Sequence, residues 1–155
     1  MVEEQTIESL SKRLRGLEDI EEIRKIYIAY GRYLDDGNMA GYASLFARDA
    51  KLRLGGVMRA DGREEIEKVA SMVVGGRSGG KSHRTLHLLA SPTITVHGDT
   101  AIGECVWAAV SAKDGEVPTI PHMGRHVDEF VREDGRWKIA KRKGLLDLGA
   151  VQVRR

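Results

Sequence analysis

From Leu17 to Leu34, apolar residues recur at Leu17, Ile20, Ile23, Tyr27, Tyr30 and Leu34. Steps of three and four place them on one stripe of an amphipathic helix, and Glu21 with Lys25 adds an i,i+4 pair on its outer side. Gly37 supplies a C-terminal stop, and Asn38 can cap a short second helix carrying Tyr42, Leu45 and Phe46. Lys51-Leu52-Arg53-Leu54 alternates as a short strand, and Asp61-Gly62-Arg63-Glu64 reads as a capping box opening a helix through about Val73. Beyond Ser82 the pattern turns to strands: His83 to Val96, Ala101 to Ala112, Gly124 to Arg132, and Trp137 to about Leu148. The turns between them are His97-Gly98-Asp99, Lys113-Asp114-Gly115 and Glu133-Asp134-Gly135. A bulge near Ser91-Pro92 would reverse the facing of the strand residues on one side of it. Helices first and consecutive hairpins afterwards predict an α+β fold, with an antiparallel sheet packed on the N-terminal helices. Residues 1–16, mixed acidic and basic, read as an N-terminal arm, either loose or a helix packed on a neighbouring subunit. Residues 17–149 then form the domain and 150–155 a tail.

A chain of 155 residues is enough for one domain. Lys+Arg 25 against Asp+Glu 23 leaves a net charge of +2, which gives no bulk signal for nucleic acid. One cysteine, Cys105, excludes an intramolecular disulfide framework and a cysteine-rich zinc site. The acidic MVEEQTIESL start lacks the apolar run of a signal peptide, and no stretch approaches the ~18 apolar residues of a membrane span. The expected compartment is the cytoplasm. Aromatic residues are scarce, at 5%, and all four tyrosines, Tyr27, Tyr30, Tyr33 and Tyr42, lie close together.

Four chemistries are conceivable. Gly75-Gly76-Arg77-Ser78-Gly79-Gly80-Lys81-Ser82 matches the phosphate-loop pattern, but that loop needs a strand before it and a long helix after it. Here a capped helix precedes and Pro92 follows soon, so a flexible lid or connector is the simpler reading. His83, His87, His122 and His126 form two i,i+4 pairs whose imidazoles suit a transition metal, yet no carboxylate sits at an obvious ligand spacing. Lys141-Arg142-Lys143 and Arg154-Arg155 read as a solvated basic face. The fourth is an acid/base site. Asp35 and Asp36 sit where a helix dipole disfavours negative charge, so an aspartate there asks for a partner, and a histidine would supply one. Carboxylate contact fixes an imidazole's tautomer for proton transfer. Tyr30 lies on the buried stripe, with its hydroxyl aimed into whatever the helix and sheet enclose. A core tyrosine and a structurally satisfied histidine fit the same residues.

The segments Tyr30-Gly-Arg-Tyr-Leu-Asp35-Asp-Gly, Leu45-Phe46-Ala-Arg-Asp-Ala50 and His87-Leu-Leu-Ala-Ser-Pro-Thr-Ile resemble the SnoaL-like branch of the nuclear transport factor 2-like superfamily. Within it the bile-acid 7α-dehydratase, hexachlorocyclohexane dehydrochlorinase and scytalone dehydratase types come nearest. The likeness runs from about Leu17 to Lys143. It implies a cystatin-like cone, in which a curved antiparallel sheet wraps on N-terminal helices around one deep pocket. The dehydratase type implies catalytic roles for Tyr30, Asp35 and His87; the dehydrochlorinase type shares the aspartate and histidine and adds Arg142. Tyr33, His83, Trp107, His122 and His126 are expected to line the pocket. The resemblance therefore implies a lyase without a cofactor or metal, acting on a small hydrophobic molecule and assembled as a homo-oligomer, trimer or dimer. An isomerase or cyclase on the same dyad, or a non-enzymatic binding or oligomerisation module, is the alternative; fold alone does not establish activity.

Overall fold

A computed structural model describes residues 2–77 and 83–149. Helix α1 runs Val2–Asp35, α2 Met39–Ser44, strand β1 Phe46–Leu54, β2 Met58–Asp61 and α3 Arg63–Arg77. Four long strands follow: β3 His83–His97, β4 Thr100–Lys113, β5 Thr119–Glu133 and β6 Arg136–Leu148. They make one six-stranded sheet in the order β2-β1-β6-β5-β4-β3. Every neighbouring pair is antiparallel except β1 with β6, which is parallel. The sheet is curved and unclosed, and its concave face packs on the helices.

The first helix is continuous through the predicted arm, so residues 2–16 are its N-terminal half. At 1.5 Å per residue it is about 51 Å long, and only its C-terminal half meets the sheet. Ile23, Ile26, Tyr27 and Tyr30 are buried, while Leu17, expected on the buried stripe, is 65% exposed. Asp19 and Glu22 anchor α1 to Trp137, near the start of β6, and beyond that edge Leu17 has no sheet to cover it. The helix stops as predicted. Gly37 takes φ +69°, and the Asn38 amide reaches back to the Tyr33 carbonyl at 2.8 Å, closing a Schellman turn.

Asn38 caps α2 by accepting from the Gly41 amide at 2.9 Å. That helix is shorter than expected: it ends at Ser44, and Phe46 opens β1. The box before α3 is displaced by one residue, since Glu65 rather than Glu64 accepts the Asp61 amide, at 2.6 Å. Strand β2, four residues long, is too short to be read from sequence, and the first five residues of β5 carry too little alternation. The phosphate-loop match has α3 before it and β3 after it, the reverse of the order such a loop requires; its residues 78–82 lie outside the described residues, as do Arg154 and Arg155. Among the described residues, no helix is long and apolar enough to cross a membrane.

The bulge is where the sequence places it. Register shifts between Ala90 and Thr93, and Ser91 takes φ +51°. His87 and Leu89 face inward before the bulge and Ile94 and Val96 after it, so an odd phase becomes an even one.

Candidate active site

The concave face is organised in rows across the strands. His87, Ala109 and His122 form one row; Leu89, Trp107 and Gly124 the next; then Cys105, His126, Gly144 and Leu54; then Gly103, Asp128, Arg142 and Leu52. Above them lie Tyr27 and Tyr30 of α1 and Tyr42 of α2.

His87 and Asp35 are in direct contact. The imidazole Nδ1 lies 2.7 Å from Asp35 Oδ1, and the side chains are 20% and 17% exposed. The His87 amide also donates to both carboxylate oxygens, at 3.0 and 3.1 Å. β3 is the sheet's edge, so this amide has no strand beyond it to pair with; Asp35 takes its place. Those donors offset the unfavourable position of a carboxylate at a helix C-terminus. Gly31 makes the approach possible. A Cβ there would come 2.8 Å from the His87 carbonyl oxygen and 3.2 Å from Leu89 Cδ1, so only glycine lets α1 lie this close to β3.

Deeper in the cone the polar groups are buried. Arg142, read from sequence as part of a basic face, points inward and is fully buried, as is Asp128. Nε and Nη2 of Arg142 each donate to Asp128 at 2.7 Å. Burial works against the Arg142 charge, but the Asp128 carboxylate outweighs it and holds the guanidinium well above its usual pKa. That guanidinium lies 4.1 Å from the Tyr30 ring centroid. The Tyr42 hydroxyl donates to the Tyr30 oxygen at 3.2 Å, which leaves the Tyr30 proton for another acceptor. Burial raises the Tyr30 phenol pKa, while Arg142 and the Tyr42 hydroxyl pull it back.

His126 is 5% exposed. Its ring is stacked on Trp107, with centroids 5.7 Å apart, and meets Tyr30 edge-on at 5.5 Å. Burial, then the charges of Arg142 and His87, push its pKa well below 6.5. Trp107 is fixed by its indole N–H, which donates to the Leu145 carbonyl at 3.2 Å. Burial pushes the Cys105 thiol up to about 12, so it stays protonated and inert.

Of the residues singled out by sequence, the fold therefore pairs His87 with Asp35 and gathers Tyr30, Arg142, Trp107 and His126 into one cluster. His122 shares the His87 row, Tyr33 packs against α2 near Gly41, and the side chain of His83 lies outside the described residues. Three contributors escaped sequence reading: Asp128, Gly31 and Tyr42's contact with Tyr30. Alternation gives Asp128 the phase of His126, the one signal that could have found it. A concavity of about 310 Å³ is lined by Arg53 to Arg59 at the β1–β2 turn, and another of about 420 Å³ by Leu17, Glu18, Glu21, Glu22 and Lys25; neither borders His87.

Comparison with known structures finds the same architecture. An NTF2-like protein with a cystatin-like fold from Novosphingobium aromaticivorans superposes with a TM-score of 0.80 at 27% identity, covering 91% of this chain and 90% of its own. A candidate scytalone dehydratase from the same organism gives 0.73 at 23% identity, covering 90% and 91%. ActVI-ORFA from Streptomyces coelicolor gives 0.72 at 20%, covering 83% and 96%. No curated protein matches the chain in sequence. The SnoaL-like domain profile, however, matches residues 15–143, a span that holds Asp35, His87, Asp128 and Arg142. The chain belongs to the SnoaL-like domain family.

Proposed function

We propose that this protein is a cofactor-independent lyase that eliminates water, or another leaving group, from a small hydrophobic cyclic or polyketide-like molecule. The observation that carries the reading is the 2.7 Å contact between Asp35 and His87 Nδ1. An Nδ1–H donated to the carboxylate leaves the Nε2 lone pair free as general base. His87 then takes a proton from the carbon next to a carbonyl, the electron pair forms the new double bond, and the carbon–oxygen bond beyond it breaks as the protonated His87 returns that proton to the departing hydroxyl, which leaves as water. Tyr30, oriented by Tyr42, hydrogen-bonds the leaving hydroxyl or the enolising carbonyl, and Arg142 supplies a hydrogen-bond donor, its unpartnered Nη1, to the oxygen on which negative charge develops. The SnoaL-like family and its structural neighbours support a cofactor-free enzyme-like fold, and an isomerase or cyclase on the same dyad is the alternative to a dehydratase.

The test is turnover of a panel of cyclic β-hydroxyketones, followed by the absorbance of the conjugated product. His87→Ala and Asp35→Asn should each lower turnover by at least about 100-fold with an unchanged circular dichroism spectrum. Retained activity in both variants would sink the mechanism, and isomerised or cyclised product would shift the assignment within the fold.

Two exposed apolar surfaces support assembly with further copies of this chain. Leu86, Leu88, Ile102, Val106 and Val127 lie on the convex face of the sheet, and Ile7, Leu10, Leu14 and Leu17 form a 3-4-3 stripe on the free half of α1. In two such helices side by side and parallel, Arg13 of one copy would face Glu18 of the other, the charge pairing such a seam favours.

A further inference from the structure

The Nδ1 of His126 is buried and has no hydrogen-bond partner. An orphaned buried group of this kind costs about 1–3 kcal/mol, and the surroundings show where a partner would come from. Gly144 lies beside it across the β5–β6 ladder. A Cβ at Gly144 would stand 3.4 Å from Nδ1, 3.5 Å from Cε1 and 2.6 Å from Leu54 Cδ2. Glycine therefore lets Leu54 pack directly against the strand, and its Cδ2 fills the space at the polar edge of the imidazole. Leu54 is also a wall of the roughly 310 Å³ concavity at the β1–β2 turn. One side chain separates an open hollow, near the lower size limit of ligand pockets, from an unpartnered nitrogen inside the cone.

We propose that Leu54 is the gate of a ligand subsite running from the β1–β2 turn to His126 Nδ1, and that this subsite takes a neutral hydroxyl group carried on an apolar ring. The subsite rests on the reading of the concave face as the catalytic face, and it sets which molecules that face accepts. Rotation of Leu54 vacates the space beside Gly144 and opens the hollow to the imidazole edge. The ring of the ligand then lies against Leu54, Val57 and Met58, and its hydroxyl meets the imidazole edge.

Charge selects the functional group. The groups facing His126 are Trp107, Tyr30 and Arg142, and the charge of His87 also reaches it. Asp128 is committed to Arg142 through two hydrogen bonds, so that pair carries no net charge and keeps one spare donor, Arg142 Nη1. A neutral imidazole offers one donor or one acceptor at Nδ1, and a hydroxyl satisfies either tautomer. A carboxylate would be desolvated here with no net positive charge to meet it.

The test uses 2-naphthol, naphthalene and naphthalene-2-carboxylate as probes, in isothermal titration against the full chain. Saturable binding of 2-naphthol should be tighter than that of either other probe. His126→Phe, which removes an orphaned polar atom and should fold at least as stably, is expected to weaken 2-naphthol about tenfold while leaving naphthalene within twofold. Gly144→Ala takes up the space that Leu54 must vacate and should weaken both; Leu54→Ala opens the gate and should strengthen both. In imidazole ¹⁵N spectra, 2-naphthol should shift Nδ1 of His126 and naphthalene should not. Equal 2-naphthol affinity in wild type and His126→Phe, a preference for the carboxylate, or no saturable binding at all overturns the subsite. His87→Ala keeps the outcomes separate: it should bind 2-naphthol as wild type does while losing turnover, so the subsite and the dyad can fail independently.

Discussion

Gly31→Ala tests how the dyad is built. In a helix interior alanine is ordinarily favoured over glycine by about 1 kcal/mol, so at an uncrowded position the substitution stabilises. Gly16, in the same helix with nothing within 4 Å of an added Cβ, is that uncrowded position. At Gly31 the new carbon would stand 2.8 Å from the backbone oxygen of His87, about 0.6 Å inside ordinary contact, with Leu89 Cδ1 at 3.2 Å behind it. A backbone carbonyl in a paired strand cannot rotate aside as a side-chain tip can, so α1 must shift away from β3. Overpacking of this kind costs about 1–3 kcal/mol, which against the propensity gain of about 1 kcal/mol leaves a net loss of up to about 2 kcal/mol. The same shift lengthens both the imidazole and the amide contacts to Asp35. Urea denaturation should show Gly16→Ala more stable than wild type by about 0.5–1 kcal/mol and Gly31→Ala less stable. Hydrogen exchange at the His87 amide should accelerate in Gly31→Ala only. If the two variants stabilise equally and His87 stays protected, the close approach of α1 to β3 is refuted.

Other expectations follow from the buried charges and the exposed faces. Arg142→Met alone or Asp128→Leu alone strands a buried charge and should cost about 3–5 kcal/mol in denaturant, while the double variant should recover most of that loss; a double variant no better than the singles would show that the pair does not act as a unit. His126 binds its proton less readily folded than unfolded, so stability should be full above pH 6.5 and fall as pH drops below it, by up to about 1.4 kcal/mol per pH unit. In His126→Phe that part of the slope should vanish, as read from urea midpoints between pH 5 and 7.5. Leu10→Glu with Leu14→Glu should lower the mass seen in sedimentation velocity without changing the melting temperature of the domain; an unchanged assembly would exclude the α1 stripe from the interface.

Local pattern determined much of this protein. The 3-4 spacing through Ile23, Tyr27 and Tyr30, the glycine stop at Gly37, the Asn38 cap and the Asp134-Gly135 turn are decided within a few residues of chain, because helix faces, caps and turns are local physics. The bulge at Ser91 was legible for the same reason, and with it the inward phase of His87. The aspartate at the end of α1 was conspicuous because it opposed the helix dipole, and its partner was nameable because a histidine opened the next long strand region.

What only the tertiary structure decided depends on residues brought together across dozens of positions. Lys141-Arg142-Lys143 looks like one basic run, yet strand alternation sends Arg142 into the core, and whether a buried guanidinium is tolerable depends on Asp128 across the ladder. Leu17 continued the helical stripe in sequence, but burial needs something on the other side, and the sheet ends before it. Gly31 and Gly144 carry no side-chain pattern at all; their meaning lies in how near His87, Leu54 and His126 come to them. Sequence periodicity states which way a residue points, and only packing states what it meets there.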